Sequence, residues 1–483
     1  MSSRAASESS LPLPSRAFCS FTDKNKEPRR YPTGEGLGVW VRAGGALLLM
    51  RRCFCFLAAS LAALPLRAGD GPPTARLITL EEAYDIALAT DQSIRIAYDE
   101  IRKANLLTWS ALTALGPQLA ATAEYDHNEN HVPGLLVTNE TSNLTVTYTQ
   151  PFVNFGVFPA FRYGKLAAIA ARLEHQYTIR QTLFGVANAY YQVLTQEGVV
   201  AVDQKTVDLA AQQLDVAQKR LNVGEVTPTD ALNARVTLES ARVALIEAKN
   251  TLLLDRDTLG NILNLGGDSG FQLAMPPDYP TTIPPFEKLL AIAYRNREDL
   301  EVGNIAIGED VAKKGEVVAE YAPQVVGVAS DYYGNAHGFY GPQTQVWDAN
   351  VAVTMPFLTG GQRELDLRTA GEQVDEDKLN REKIVKTVEA DVRQAWLNAR
   401  SLRESLESLR VQVDAARESY QDEQHEYEAG TAASVDVLVA LTALNSSENS
   451  LEVQVYAFEV ALRDLEEAAG VFQQQRVERE KVK

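Results

Sequence analysis

Cysteine is almost missing from this sequence: three in 483 residues, Cys19, Cys53 and Cys55, all within the first 55. Nothing downstream can form a disulfide or a thiolate metal site. Positive charge is in deficit, with 46 Lys and Arg against 64 Asp and Glu and a formal net charge of −18. Phosphate binding needs basic stripes, so nucleic acid is disfavoured as a partner. No Walker loop, nucleophile elbow or cluster of catalytic carboxylates occurs, so neither an enzyme nor a cofactor is expected. What remains is an acidic, well-solvated chain with 45% hydrophobic residues, ample for a core.

The cysteines point to export. "MRRCFCFLAASLAALPLRAGDG" places Arg51 and Arg52 before a short apolar region, Cys53 to Leu64. Leu66-Arg67-Ala68 then gives a tolerable cleavage site, so 50–68 reads as a signal peptide. The apolar region is too short to span a bilayer comfortably. No cysteine follows a small-residue pair at the cleavage site, so a lipid anchor is not indicated. Residues 1–49 form a Ser/Pro/Arg-rich stretch without periodicity. They read as a disordered upstream extension, with translation starting at Met50, or alternatively as a tail on a membrane-anchored protein.

One sentence is written twice. "LNVGEVTPTDALNARVTL" at 221–238 and "YEAGTAASVDVLVALTAL" at 427–444 place Gly224 and Gly430 206 residues apart, as are Asp230 and Asp436. The same offset lays Glu81 on Glu287, Ala87 on Ala293, Pro117-Gln118 on Pro323-Gln324 and Tyr190 on Trp396. "TVTYTQPF" meets "NVAVTMPF" with a slip of one residue. So long a period is a duplicated domain, outside the range of short solenoid repeats. The expected repeats are 77–265 and 285–470, joined by a linker at 266–284 and followed by a charged tail at 471–483.

Each half reads in the same order. A helix opens at Thr79-Leu80-Glu81-Glu82, which has capping-box spacing, and its counterpart opens after Pro284-Pro285. The two are expected to run to Gly116-Pro117 and Ala322-Pro323, where proline ends the ladder. Strands follow: Leu119, Ala121, Ala123 and Tyr125 alternate with polar or small residues, as do Leu144, Val146 and Tyr148. Val325–Tyr333 and Trp347–Met355 play this part in the second half. Period-two alternation with one polar face suits a membrane barrel strand. "HNENHVPGLLVTNETS" and "GNAHGFYGPQTQ" read as the polar loops between strands.

A long helix comes next. No proline interrupts Gln362–Glu428, and Leu402, Leu406, Leu409, Val413, Ala416 and Tyr420 step by four and three, a heptad seam. At 1.5 Å per residue it would be about 100 Å long. Residues 166–222 repeat it, and Gly224 and Gly430 end both helices. Return helices run from "TPTD" and "ASVD" to about Leu263 and Ala469. Four strands cannot close a barrel, and an open sheet in lipid leaves backbone groups unpaired. Three copies would supply about twelve strands, inside the outer-membrane range.

On the duplication, the strand pairs followed by Pro-Phe and the two glycine turns, residues 77–470 resemble the TolC family of outer-membrane efflux proteins. The resemblance implies a mainly α fold with a small β part. As a homotrimer, the half-repeats would form a 12-stranded outer-membrane β-barrel continuous with a periplasmic α-helical barrel. It also implies an exit duct for efflux or type I secretion, passive and dependent on a periplasmic adaptor (membrane fusion) protein and an inner-membrane pump.

In the family the two turns form the periplasmic tip, so Gly224, Val226, Gly430 and Thr431 would lie where the adaptor docks. Asp230, Asp436, Thr229 and Tyr427 would lie at the entrance. Each aspartate would become a ring of three carboxylates favouring cations; equally, each suits a helix N-terminus. Ala432 replaces an expected basic partner and Val439 a second aspartate, which leaves Asp230 with Tyr427 as the surviving gate pair.

Other signals are weaker. His127 and His131 fall in a presumed loop, where a four-residue spacing is no zinc motif. Tyr190, Tyr191 and Trp396 read as packing residues. The rival reading, a structural or adhesive envelope coiled coil, accounts for the heptads but not for the strands or the twin turns.

Overall fold

A computed structural model describes residues 77–265, 270–276, 282–339 and 343–480. The upstream extension, the signal peptide and part of the 266–284 linker lie outside the described residues. The order is β1 (Leu77–Ile78), α1 (Leu80–Thr90), α2 (Gln92–Thr113), β2 (Gln118–Val132), β3 (Leu135–Val153), α3 (Val157–Asn222), α4 (Pro228–Ile262) and β4 (Gln272–Leu273). It continues with α5 (Phe286–Asn296), α6 (Glu298–Ala319), β5 (Gln324–Phe339), β6 (Gln343–Thr354), α7 (Gln362–Ala429), α8 (Ser434–Ala468) and α9 (Gln474–Glu480). Helices α1, α2 and α4 recur as α5, α6 and α8 at an offset of 206 with unchanged lengths.

The expected single helix after Thr79 is two. Thr79 does cap α1, its hydroxyl accepting the Glu82 amide at 3.2 Å. Asp91 then turns extended (φ −64°, ψ 132°), and its Oδ1 accepts the Ile94 amide at 3.1 Å, opening α2. A short acidic side chain competes with the backbone ladder in this way. Arg297 makes the equivalent break in the second half.

Three apolar clusters hold the helices. One joins α1, α3 and α4 around Tyr84, Leu183, Tyr190, Tyr191 and Leu259. A second joins α5, α7 and α8 around Leu289, Val388, Val392 and Leu465. A third sits near the helix ends, around Leu238, Tyr420, Tyr427 and Leu441. Between the first cluster and the third, α3 meets α8 through polar pairs. Lys205 Nζ donates to Glu448 at 3.0 Å, and Arg417 donates to the same carboxylate at 2.9 Å. Burial alone would raise Glu448, but these two cations hold it below the usual carboxylate range.

The duplication extends to single hydrogen bonds. Tyr190, fully buried, donates to Ile78 O at 3.0 Å and also to Ala274 O, tying β1 to β4, which pair in parallel. Trp396 Nε1 donates to Pro284 O at 3.1 Å; donor and acceptor are both displaced by 206. The packing reading of Tyr190, Tyr191 and Trp396 agrees with these contacts, and the described part of the linker includes the two-residue strand β4. Tyr190→Phe strips a donor from two inward-facing carbonyls. It is expected to lower stability by about 1–3 kcal/mol, read as a lower thermal midpoint in detergent.

The tail also differs. Phe472 is 1% exposed, its ring edge-on to Tyr84 and Phe184, and α9 buries Val477. Phe472 and Val477 anchor this segment to the core, while Gln475, Glu478 and Arg479 stay exposed.

The four long strands form one antiparallel sheet in the order β2-β3-β5-β6. Pairing continues through the presumed first loop to Val132↔Leu135. Pro133-Gly134, with Gly134 at φ +89°, makes the turn, as proline followed by left-handed glycine does in type II turns. His127 and His131 therefore lie in β2, and His127 pairs with Glu140 at 3.1 Å. β3 meets β5 across the two halves, with a bulge between Pro151 and Val153, where a residue without an amide donor is tolerated.

Candidate functional site at the sheet and helical tip

Register sorts the sheet into two chemically distinct faces. Leu119, Tyr148, Ala329 and Ala349 stand in one row across all four strands, and Ala121, Val146, Asp331 and Trp347 in the next. With Val351 and Val353 this face is apolar and open: Leu119 is 73% and Trp347 75% exposed. Asp331, Gln345 and Gln150 are polar residues on this face, and the Asp331 carboxylate accepts from Gln345 at 3.1 Å. The opposite face carries Thr122, Thr145, Thr147, Thr149, Ser330, Asp348 and Asn350, with Val326, Val328, Tyr332 and Val346 among them on β5 and β6. The alternation read at Leu119–Asp126 and Leu144–Gln150 maps directly onto these faces. β2 and β6 each have one edge without a partner strand among the described residues.

At the other end of the long helices stand the two glycine turns. Gly224 takes φ +82° and Gly430 φ +80°, left-handed conformations that glycine adopts without a Cβ penalty. Each closes its helix alike: the Glu225 amide reaches Arg220 O at 3.0 Å, and the Thr431 amide reaches Glu426 O at 2.9 Å. The next helix starts within a few residues. Thr227 Oγ1 accepts the Asp230 amide at 3.3 Å, while Asp230 Oδ2 accepts the Thr227 amide at 2.9 Å and its hydroxyl at 2.8 Å. That is a complete capping box. In the second turn only half survives: Asp436 accepts the Ala433 amide at 3.2 Å, and Ala433 has no side-chain oxygen to return the bond.

The helix-terminus reading of both aspartates is thus present in the geometry. Asp436 is exposed, Asp230 half-buried, Thr229 exposed and Val226 half-buried. The turns bring Gly224, Val226, Asp230 and their counterparts to one level of the fold. Within the protomer no hydrogen bond joins the Asp230 carboxylate to the Tyr427 hydroxyl among the described residues. Tyr427 is 2% exposed, and its Oη has no hydrogen-bond partner among the described residues.

What lies on Tyr427 is Arg220, which sequence reasoning passed over. Its guanidinium sits 4.5 Å from the ring centroid, and it donates to Tyr427 O at 2.6 Å and to Glu428 O at 2.8 Å. A basic residue in the last turn of a helix reads as a complement to the helix dipole, so nothing marked it as a contact to another helix.

Comparison with known proteins follows the same division of the chain. The family model described as "Outer membrane efflux protein" matches twice, over residues 83–265 and 289–471, again 206 apart. Escherichia coli (strain K12) outer membrane protein TolC is 22% identical over 382 residues, 76% of each chain. The alkaline protease secretion protein AprF of Pseudomonas aeruginosa is 21% identical over 411 residues, 81% of this chain and 84% of that one. Among solved structures, the Campylobacter jejuni CmeC outer membrane channel superposes with a TM-score of 0.67 at 15% identity, covering 82% of this chain and 86% of that one. The open state of the Neisseria gonorrhoeae MtrE outer membrane channel gives 0.63 at 19% identity, covering 81% and 89%. At these identities the structures speak for the fold.

Proposed function

Because this chain belongs to the outer membrane efflux protein family, we propose that three copies assemble into one outer-membrane duct whose helical part projects into the periplasm. The observation that carries this reading is the four-stranded sheet with one apolar face, one polar face and two open edges. Lipid supplies no hydrogen bonds to an open edge. Joining β6 of each copy to β2 of the next satisfies every edge, turns the apolar face to lipid and encloses the polar face around water. Residues 50–68 direct export of the chain.

The duct is passive. It receives cargo from an inner-membrane pump through a periplasmic adaptor that docks at the tip turns, at Gly224, Val226, Gly430 and Thr431. The relatives support this setting by their names, which include efflux-pump and protease-secretion components. Threefold assembly makes Asp230 and Asp436 two rings of carboxylates at the entrance, where confinement strengthens their field. Thr229 and Tyr427 stand at the same level.

Planar-bilayer recording of the detergent-purified protein is expected to show discrete, cation-preferring conductance; a bilayer that stays silent refutes the proposal. Asp230→Asn with Asp436→Asn is expected to shift the reversal potential in a salt gradient toward non-selectivity. An unshifted potential would leave both aspartates to helix capping alone.

A further inference from the structure

We propose that a recess where the sheet passes into the helices, framed by α2, α3 and α6, binds small organic cations that have an apolar body. The recess measures about 430 Å³, within the range of small-molecule sites. It exists because the three helices meet there through small residues: Ala111 and Ala114 from α2, Gly156 and Ala160 at the start of α3, and Ala319 from α6. None of these can reach across the space. Close packing holds its walls on both sides. A Cβ on Gly164 would fall 2.8 Å from the Thr108 amide nitrogen of α2, and one on Gly315 would fall 3.1 Å from Pro159. The space is therefore preformed, and a ligand need not part the helices to enter it.

Charge selects the occupant. Among the described residues lining the recess, two are acidic, Glu316 and Glu320, and none is basic. Burial pushes the Glu316 carboxyl up, and Lys313 acts against this. Lys313 is itself bound to Asp310 at 2.8 Å, so Glu316 has no cation of its own. An arriving ammonium supplies the missing charge. Tyr163, also in the lining, adds an aromatic ring of the kind that attracts cations, and the Lys313 ammonium lies 5.3 Å from its centroid. An anion is repelled by both carboxylates, and a wholly apolar ligand strips them of water without return. Gln324, at the strand end of the recess, stands in the alternation of Val326, Val328 and Ser330 on the polar face. That the recess opens to the channel rests on the duct reading; that it binds a cation does not.

The test is isothermal titration calorimetry of the detergent-purified protein with benzyltrimethylammonium, against empty micelles. Saturable heat is expected with this cation and none with benzenesulfonate, an anion of similar size. Glu316→Gln keeps the shape of the recess and is expected to weaken binding at least about fivefold, the loss of one partly screened charge pair. Ala319→Leu fills the space without touching the charges and is expected to abolish binding. Should that variant fail to assemble, Glu316→Gln carries the test alone. No saturable heat from the wild type, equal heat from benzenesulfonate, or unchanged affinity in either variant overturns the proposal. A protein that binds the cation as expected yet passes no current in a planar bilayer refutes the duct and leaves the site standing; conduction without binding does the reverse.

Discussion

Val351→Arg is expected to abolish the membrane-assembled oligomer, whereas Asn350→Arg, one residue away, preserves it. Val351 shares the apolar row system of Ala349 and Val353 on β6, while Asn350 pairs with Val328 on the polar face. A cation on the lipid side of a barrel costs about 2–4 kcal/mol near mid-bilayer. Three copies multiply this to roughly 6–12 kcal/mol per trimer, comparable with the whole stability of a folded domain. An arginine on the water-filled side meets solvent and alters conduction only. Heat-resistant oligomer on a gel, from membranes of cells expressing each variant, distinguishes the two. Equal loss in both variants would mean that the faces have been assigned wrongly or that the sheet does not meet lipid.

Phe472→Ala is expected to produce the largest fall in stability of any single substitution in the last fifteen residues. The ring is buried against Tyr84 and Phe184, and the backbone oxygen of the same residue accepts from the buried Arg180 at 3.3 Å. Emptying such a site costs about 3–5 kcal/mol. Arg476, by contrast, pairs with Glu81 and Asp85, whose side chains are both 68% exposed, and surface pairs of this kind contribute about 0–1 kcal/mol. Thermal unfolding in detergent should therefore drop far more for Phe472→Ala than for Arg476→Ala. The reverse order would show that the segment after α8 is held by charge and that its apolar burial is incidental.

The long helices, the duplication and the glycine turns were legible because each leaves a local mark. Heptads repeat over many turns, proline and glycine punctuate, and an offset of 206 can be checked position by position. The strands were legible only at the ends nearest the helices, where Leu119–Tyr125 and Leu144–Tyr148 alternate. Beyond Asp126, residues 127–131 are all polar and Leu135, Leu136 and Val137 are consecutive, so alternation carries no information even though backbone pairing continues to Val132 and Leu135. The break at Asp91 is a single side chain outcompeting one helical hydrogen bond, too small an event for any periodicity to register. Arg220 was missed for a different reason: its meaning lies in Tyr427 and Glu428, more than two hundred residues away. The sheet also separates the two original readings. A bare coiled coil has no use for a four-stranded antiparallel sheet with an exposed apolar face, whereas a duct requires one.

The central claim is that the sheet edges of one chain are completed by two others. Native mass spectrometry of the mature protein released from detergent micelles measures this directly. Three copies per particle, with no monomer surviving in detergent-free buffer, is the predicted result. A stable, water-soluble particle of one chain would contradict it.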